Sequence, residues 1–593
     1  VKKTKFRLFV SAAVTILLGI LGLEIISGTG FNLIGKVYTL LIHPIGATRI
    51  GQTVAYYAQP YLDSFISQVS SPLFYIFLLG SALVCIEMIK KVKILKHRIY
   101  LGILEIAAVM GILFSRYSSG SVLDGVNFLS QVIYFLGFAI LISCLLWIYY
   151  KDRHKIDESI LFLFSWMIIM LITVRAAQRT IFIVVTFIVI VGAYFIVRAG
   201  ELIGKLKGKD IRYVIGILFI LSLILSFGYL FGNPFTGSSG AVSTSYAQAQ
   251  QTGPLMNDQW QNAMAWVRND TPQDAVFLHW WDYGYILQTV GLRTTVLDGG
   301  NFNSYWDHLM GRYVLTTPNP DTALSFMKSH NVSYLLIDFS DLGKYSAYSI
   351  IGSDSSGIDR YASPPTLESD STKDYQTANG TMRIYQGSTF VDQDISYNGL
   401  FLPGPSSEDG QVSTYNSYFV GIAMQYKNAN SSAIVIEQPS GIFQYNGQQY
   451  VVPLRYVYYN GHIIDYNNGI NATFMIIPSI SSGQNGGISI DPLGGGIYLS
   501  PKVQESLFAQ LYLMNDPYHQ YSTLSKGDFE DNYIINSLKT QNANVGEFAL
   551  YQGQLLAPLK IWKVDYPSNI KFNAEFLKPS GTYGDLDNLT FTQ

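Results

Sequence analysis

Cysteine is almost absent from these 593 residues: only Cys85 and Cys144 occur, both inside long apolar runs. No disulfide framework can hold the polar remainder together. Neither thiol has the spacing of a zinc ligand or the setting of a nucleophile, so both read as small buried hydrophobes. Charge is scarce as well. Lys and Arg number 39 against 41 Asp and Glu, a formal net charge of −2, and charged residues make up 13% of the chain. That balance supplies no basic surface for nucleic acid, which is excluded as a partner. An internal repeat of solenoid period is lacking too.

Apolar length is what the chain has instead. Hydrophobic residues reach 49%, concentrated before about residue 232, whereas Tyr, Ser, Asn and Gly dominate beyond it. The shift predicts a transmembrane domain over 1–232 with about seven spans, roughly 8–27, 72–89, 100–115, 128–149, 158–175, 180–197 and 213–231. Basic clusters precede the first span (Lys2, Lys3, Lys5, Arg7) and follow the second (Lys90, Lys91, Lys93, Lys96, Arg98) and the fourth (Lys151, Arg153, Lys155). Another lies between the sixth and seventh (Arg198, Lys205, Lys207, Lys209, Arg212). Cytoplasmic loops carry such excesses, so the N-terminus is expected inside. The large C-terminal part then falls on the extracytoplasmic face of a multi-pass cell-membrane protein.

A Gly/Ser/Ala/Gln-rich linker is expected over 233–253. Over 254–394, helix-spaced apolar residues around Trp260 and Trp266 alternate with strand-like runs at 275–279, 294–298 and 332–338, the pattern of an α/β domain. From 395 to 497, Asn446-Gly447 and Asn460-Gly461 punctuate alternating runs, which predicts a β-rich insertion built from hairpins. Residues 498–593 return to the α/β domain, with a helix at 500–515, and run into a C-terminal tail.

The most specific feature is Trp280-Trp281-Asp282-Tyr283-Gly284, a turn between a strand-like and a helix-like segment. At this composition, chance produces such a run in under about one chain in ten thousand. The run resembles the WWDYG signature of oligosaccharyltransferase catalytic subunits, the family of archaeal AglB and bacterial PglB, with the archaeal form the best fit. Asp298-Gly299-Gly300-Asn301 and, further on, Asp341 and Lys344 follow the same layout, the latter pair as the DxxK part of a second motif. That motif's usual Met or Ile is replaced by Tyr348, with Ile350 a substitute nearby.

The resemblance implies a GT-C type glycosyltransferase, here with a partial membrane domain. It would transfer an oligosaccharide from a dolichyl phosphate or diphosphate carrier to asparagine of Asn-X-Ser/Thr sequons in secreted or membrane polypeptides, working among membrane lipids. Trp280, Trp281, Asp282, Tyr283, Gly284, Asp341, Lys344 and Tyr348 would form the acceptor pocket. A hydroxyl carries one donor and two acceptor lone pairs, which indole N–H groups and a carboxylate can satisfy. An acceptor lacking it would strand those groups, at about 1–3 kcal/mol. Read in isolation, the tryptophans would sooner be core and Asp282 a cap for the next helix; the flanks of the signature and the DxxK pair favour the pocket.

Arg175 and Arg179 sit at an expected external turn, where cations are costly unless partnered. By resemblance one of them, preferentially Arg179, meets the donor phosphate and supports departure of the carrier, and both are taken as catalytic candidates. Thr53, Val54 and Tyr56 resemble an external loop motif in which Tyr56 occupies the place of a glutamate. The family implies Mg²⁺ or Mn²⁺, yet its Asp-X-Asp and Glu ligands are not found. Asp392-Gln393-Asp394 and Asp585-Leu586-Asp587 have the spacing but lie in expected outer loops. The chain therefore reads as an N-terminally truncated or divergent member of that family. The competing readings are a non-catalytic, membrane-anchored sequon-peptide-binding paralogue and, more distantly, an external sugar-binding anchor.

Overall fold

A computed structural model gives the fold. It describes residues 49–54, 57–90, 95–152, 157–233, 238–251, 256–408, 411–430, 433–482, 488–524, 529–531, 535, 546–551, 553–584 and 586–587. Two compact units divide the chain at Gly253/Pro254.

In the first unit, helices follow the apolar runs. Ser71–Ile89, Lys96–Phe114, Phe128–Tyr150 and Gln178–Gly204 are long and apolar enough to cross a membrane, and Glu158–Val174 is a shorter apolar helix. Lys209–Phe231 is a further helix of 23 residues. The expected span at 8–27 lies outside the described residues. Phe74, Phe77 and Val84 pack with Phe164, Met167, Val184 and Phe187 between the helices. Gly80 permits one close crossing, since a Cβ there would stand 2.6 Å from the carbonyl oxygen of Val191. Asp157 caps the helix Glu158–Val174 by accepting from the amide of Ser159. The expected linker is partly regular: Ala241–Gln251 is a helix, as its Ala and Gln content without Pro or Gly allows.

Beside two two-stranded ribbons, Ile395–Tyr397 with Leu400–Leu402 and Pro405–Glu408 with Gln411–Tyr415, the described residues of the second unit form two larger sheets. The smaller one has five strands in the order Phe529–Asp531, Leu559–Lys563, Tyr334–Ile337, Val276–Leu278, Thr294–Thr295. Its last three strands are parallel to one another, with Phe277 opposite Tyr334 and Val276 opposite Thr294. The expected strands at 294–298 and 332–338 are thus shorter than their apolar runs. Helices Asp258–Asp270 and Pro320–Ser329 accompany them, each opened by an asparagine cap, Asn257 and Asn319.

The larger sheet has 12 strands, and it reaches well beyond the expected insertion. Thr366–Ser369 and Gly380–Phe390 join it from before residue 395, and Ala549–Tyr551 with Gln554–Leu556 from after 497. A parallel pairing of Gln448–Tyr459 with Ile470–Ser482 closes the antiparallel path into a barrel. Its interior holds Leu367, Tyr385, Phe419, Phe443, Leu454 and Phe474. The helix expected at 500–515 is instead a short 3₁₀ turn, Val503–Glu505, and a π-helical segment, Phe508–Leu513. Closing a barrel requires partners distant in sequence, which hairpin periodicity cannot reveal.

Candidate functional site

Three parallel strands deliver three loops to one edge of the small sheet. Residues 279–284 follow Val276–Leu278, Asp298–Asn301 follows Thr294–Thr295, and 338–344 follows Tyr334–Ile337. Loops at the C-terminal ends of adjacent parallel strands are where α/β folds build sites. Motifs some 60 residues apart in sequence meet there.

The signature folds as a tight corner. Trp280 is extended, and Trp281–Tyr283 makes one 3₁₀ turn. Gly284 is needed because a Cβ would lie 2.6 Å from Cα of Asp298 and 3.0 Å from the Leu297 carbonyl oxygen. Trp280 is only 2% exposed, its ring edge-on to Tyr348 at 4.5 Å between centroids. Trp281 is half-buried, and its Nε1 is buried with no hydrogen-bond partner. The Asp282 side chain, 30% exposed, stands 3.3 Å from Nζ of Lys344. Trp281 and Asp282 therefore reach the surface, while Trp280 supports them from the core.

Asp341 organises the space behind. Buried at 1% exposure, it accepts hydrogen bonds from the hydroxyls of Tyr283, at 2.6 Å, and Tyr348, and from the Asp338 amide at 2.9 Å. Lys344 donates to the Tyr283 hydroxyl at 2.9 Å and lies 4.2 Å from that ring's centroid. Burial pushes the Asp341 carboxyl up, opposed by Lys344 and the two tyrosine hydroxyls. Asp338 is pushed up to about 6, mainly by burial and then by Asp341. Tyr348, at the position where the resemblance places an apolar contact, is fully buried and spends its hydroxyl on Asp341. Ile350, in the same helix Asp341–Gly352, is half-buried.

Two groups at this corner escaped sequence reasoning. Asp307, on the helix Ser304–Met310, is 1% exposed with Oδ2 unpartnered. Burial first, then the charges of Asp298 and Asp282, push its carboxyl up to about 8. His279 is fully buried, with Nδ1 2.6 Å from the Trp280 carbonyl oxygen, and burial lowers it to about 4, so the ring is neutral. Asp307 belongs to no motif. His279 precedes the signature and reads there simply as the end of a strand.

In the first unit the two arginines differ. Arg175 is 4% exposed and bound internally, donating to Ser115 Oγ at 2.8 Å and to the Gly125 carbonyl at 2.6 Å, over the ring of Tyr134. It straps helix ends together, with its Nε left unpartnered. Arg179 is exposed and donates to the Tyr57 hydroxyl at 2.7 Å. Thr53 closes a local turn by donating to the Ile50 carbonyl at 2.8 Å, and the Val54 amide donates to the same oxygen at 3.3 Å. Tyr56 lies outside the described residues.

Among the described residues no group of three or more His, Cys, Asp or Glu side chains could hold a metal ion. The two Asp-X-Asp segments are otherwise engaged. Asp392 accepts from the Ala362 amide and the Ser500 hydroxyl, and Asp394 from the Gly404 amide. Asp587 pairs with Arg312 at 2.6 Å and accepts from Tyr313. Asp585 is outside the described residues. Among the described residues no donor set fits Mg²⁺ or Mn²⁺.

No protein-family model matches the chain. Curated relatives do. Dolichyl-diphosphooligosaccharide–protein glycosyltransferase subunit STT3B of Oryza sativa subsp. japonica is 29% identical over 135 residues, covering 21% of this chain and 18% of the relative. Dolichyl-phosphooligosaccharide-protein glycotransferase 1 of Pyrococcus furiosus is 25% identical over 234 residues, 38% of this chain and 23% of the relative. The matched part thus spans about a fifth of these relatives' length. The C-terminal domain of C. jejuni PglB aligns with 52% of this chain at 11% identity and a TM-score of 0.24. An Archaeoglobus fulgidus oligosaccharyltransferase, crystallised with Zn and sulfate, aligns with 56% of this chain and 52% of its own at 14% identity and a TM-score of 0.27. Both scores are too low to carry an argument about the fold. The curated relatives to which this chain is similar are oligosaccharyltransferase subunits of archaea and eukaryotes, the same family that its signature resembles.

Proposed function

We propose that this chain works as an oligosaccharyltransferase, moving a glycan from a dolichyl-phosphate-type carrier to asparagine of Asn-X-Ser/Thr sequons, with its second unit on the extracytoplasmic side. One observation carries this reading. Trp281 holds a buried, unpartnered N–H beside a half-exposed carboxylate, Asp282, that Lys344 secures at 3.3 Å. A stranded donor costs about 1–3 kcal/mol, and its retention beside an acceptor matches a ligand hydroxyl that both donates and accepts.

In this scheme Asp282 accepts the sequon hydroxyl's proton in a hydrogen bond, and Trp281 donates to its oxygen. Trp280, wedged against Tyr348, fixes the corner, and the Asp341 network fixes Lys344 through Tyr283. Arg179 offers its exposed guanidinium to the carrier phosphate. The described residues offer no ligand set for the family's metal.

The test is Trp281→Phe in detergent-solubilised full-length chain. Its thermal midpoint should stay within about 2 °C of the parent, because a donor that pairs with nothing is removed. Affinity for a fluorescent Asn-Ala-Thr peptide should fall by about tenfold, and Asp282→Ala should weaken it at least as much. Unchanged peptide affinity in both variants refutes the proposal.

A further inference from the structure

The barrel carries a cleft that the acceptor reading leaves unused. Strand Gln448–Tyr459 and its hairpin partner His462–Asp465 form one wall, and the π-helical segment Phe508–Leu513 with residues 514–520 forms the other. Its volume is about 900 Å³, within the range of ligand-holding clefts. A second hollow of about 380 Å³ shares Tyr458, Gly461 and Asn515 with it, so the depression is elongated.

The lining selects a chemical class. Tyr456, Tyr458 and Tyr518 bring aromatic rings to the cleft, with Tyr518 49% exposed. Among the described residues no Lys or Arg lines it. Of its three carboxylates, Asp465 is held by Arg455 through two bonds of 2.9 Å, Asp516 accepts from the Gln520 and Tyr521 amides, and Glu505 stands with them. Arg455 also covers one face of Tyr456 at 5.0 Å. With three carboxylates in the lining and Arg455 already committed to Asp465, a phosphate or nucleic-acid ligand is disfavoured. Over Tyr456–Tyr458 the strand is paired on both sides, so an extended peptide finds no free main-chain edge at those aromatic residues.

Gln510 points to what is bound. It lines the cleft, is only 5% exposed, and donates through Nε2 to the Gln504 carbonyl at 2.6 Å, while its Oε1 has no partner. A buried acceptor left unmet costs about 1–3 kcal/mol, and a ligand hydroxyl supplies the missing donor. Gln504 cannot turn to help, because its amide is engaged by Thr473 and by the Asn471 carbonyl.

We propose that this cleft binds a neutral oligosaccharide, its C–H faces against Tyr456 and Tyr518 and a hydroxyl donating to Oε1 of Gln510. Aromatic faces with adjacent planar amides suit a polyol, which is apolar on its ring faces and rich in donors at its edge. This site shares no residue with Trp281 and Asp282, so it stands or falls separately from the acceptor pocket.

The probes are maltotriose, mannotriose and chitotriose, added to the full-length chain in nanodiscs and read by saturation-transfer difference NMR. At least one should bind, with protons of one ring face showing the strongest transfer. Tyr518→Ala and Gln510→Leu should each weaken that binding by about tenfold, and Tyr518→Trp should restore it. Each variant must retain the parent thermal midpoint; where Gln510→Leu does not, Tyr518→Ala and its rescue decide. The bound sugar, presented on a glycopeptide and on a polyprenyl phosphate, then separates a glycosylated product from a lipid-linked donor as its source. The proposal is overturned if no trisaccharide binds at about 10 mM, above the weakest affinities a specific site shows. It is equally overturned if binding is indifferent to Tyr518→Ala and its rescue, or if an unglycosylated peptide takes the cleft in the sugar's place.

Discussion

Replacing Asp341 by alanine removes the acceptor for three buried donors at once: two tyrosine hydroxyls and the Asp338 amide. Each such bond is worth about 1–1.5 kcal/mol net, so the loss comes to about 4 kcal/mol. The second unit has about 340 residues, for which unfolding entropy near 0.7 kcal/mol/K turns that loss into a drop of about 6 °C. Asp341→Asn keeps one carbonyl oxygen and should lose about half as much. Tyr348→Phe, which deletes one hydroxyl, should cost about 1.5 kcal/mol and add less than its own cost on top of Asp341→Ala, because the two share a bond. Tryptophan fluorescence during thermal unfolding of the full-length chain reads all three. A shift below about 1 °C for Asp341→Ala would refute the claim that this carboxylate holds the corner together.

The other expectations concern the same edge of the small sheet. Gly284→Ala sets a methyl 2.6 Å from backbone that cannot rotate away, so it should cost about 3 kcal/mol, visible as a lowered denaturation midpoint. Asp307 gives a pH dependence of definite sign. Its folded-state pKa of about 8 lies above the ordinary 3.8, so the native state binds the extra proton between those values. Stability from this group is therefore greatest below about pH 4 and falls as pH rises towards 8, by at most about 1.4 kcal/mol per unit. Denaturant unfolding of Asp307→Asn between about pH 5 and 7.5 should lack that slope; an identical slope in both proteins would rule Asp307 out as its source.

What could be read from the chain depended on how local its cause was. Apolar runs suffice for membrane-length helices, because length and hydropathy are properties of one segment. Residues 280–284 were legible as a turn because the change from a strand-like to a helix-like segment is local too. The meeting of Asp341 with Tyr283 was not, since it follows from the parallel pairing of Val276–Leu278 with Tyr334–Ile337. Tyr348 illustrates a second limit: sequence places it in the motif's apolar position, but burial and a carboxylate seven residues earlier make it a donor. Arg175 shows a third. A cation at an expected external turn suggests a ligand, but sequence cannot show that Ser115 and Gly125, 50 to 60 residues earlier, accept two of its hydrogen bonds. Residues 500–515 looked helical because π and α periods place apolar side chains on nearly one face over so short a run.

That π-helical segment has two neighbours. The ring of Phe508 lies 5.5 Å from Tyr345 and 6.4 Å from Tyr348, which in turn braces Trp280, while Gln510 two residues on faces the barrel's cleft. One short segment thus touches both the aromatic brace behind the signature and the barrel's cleft. If both proposed ligands bind and this segment differs between their bound states, linkage requires each to change the other's affinity by the same factor.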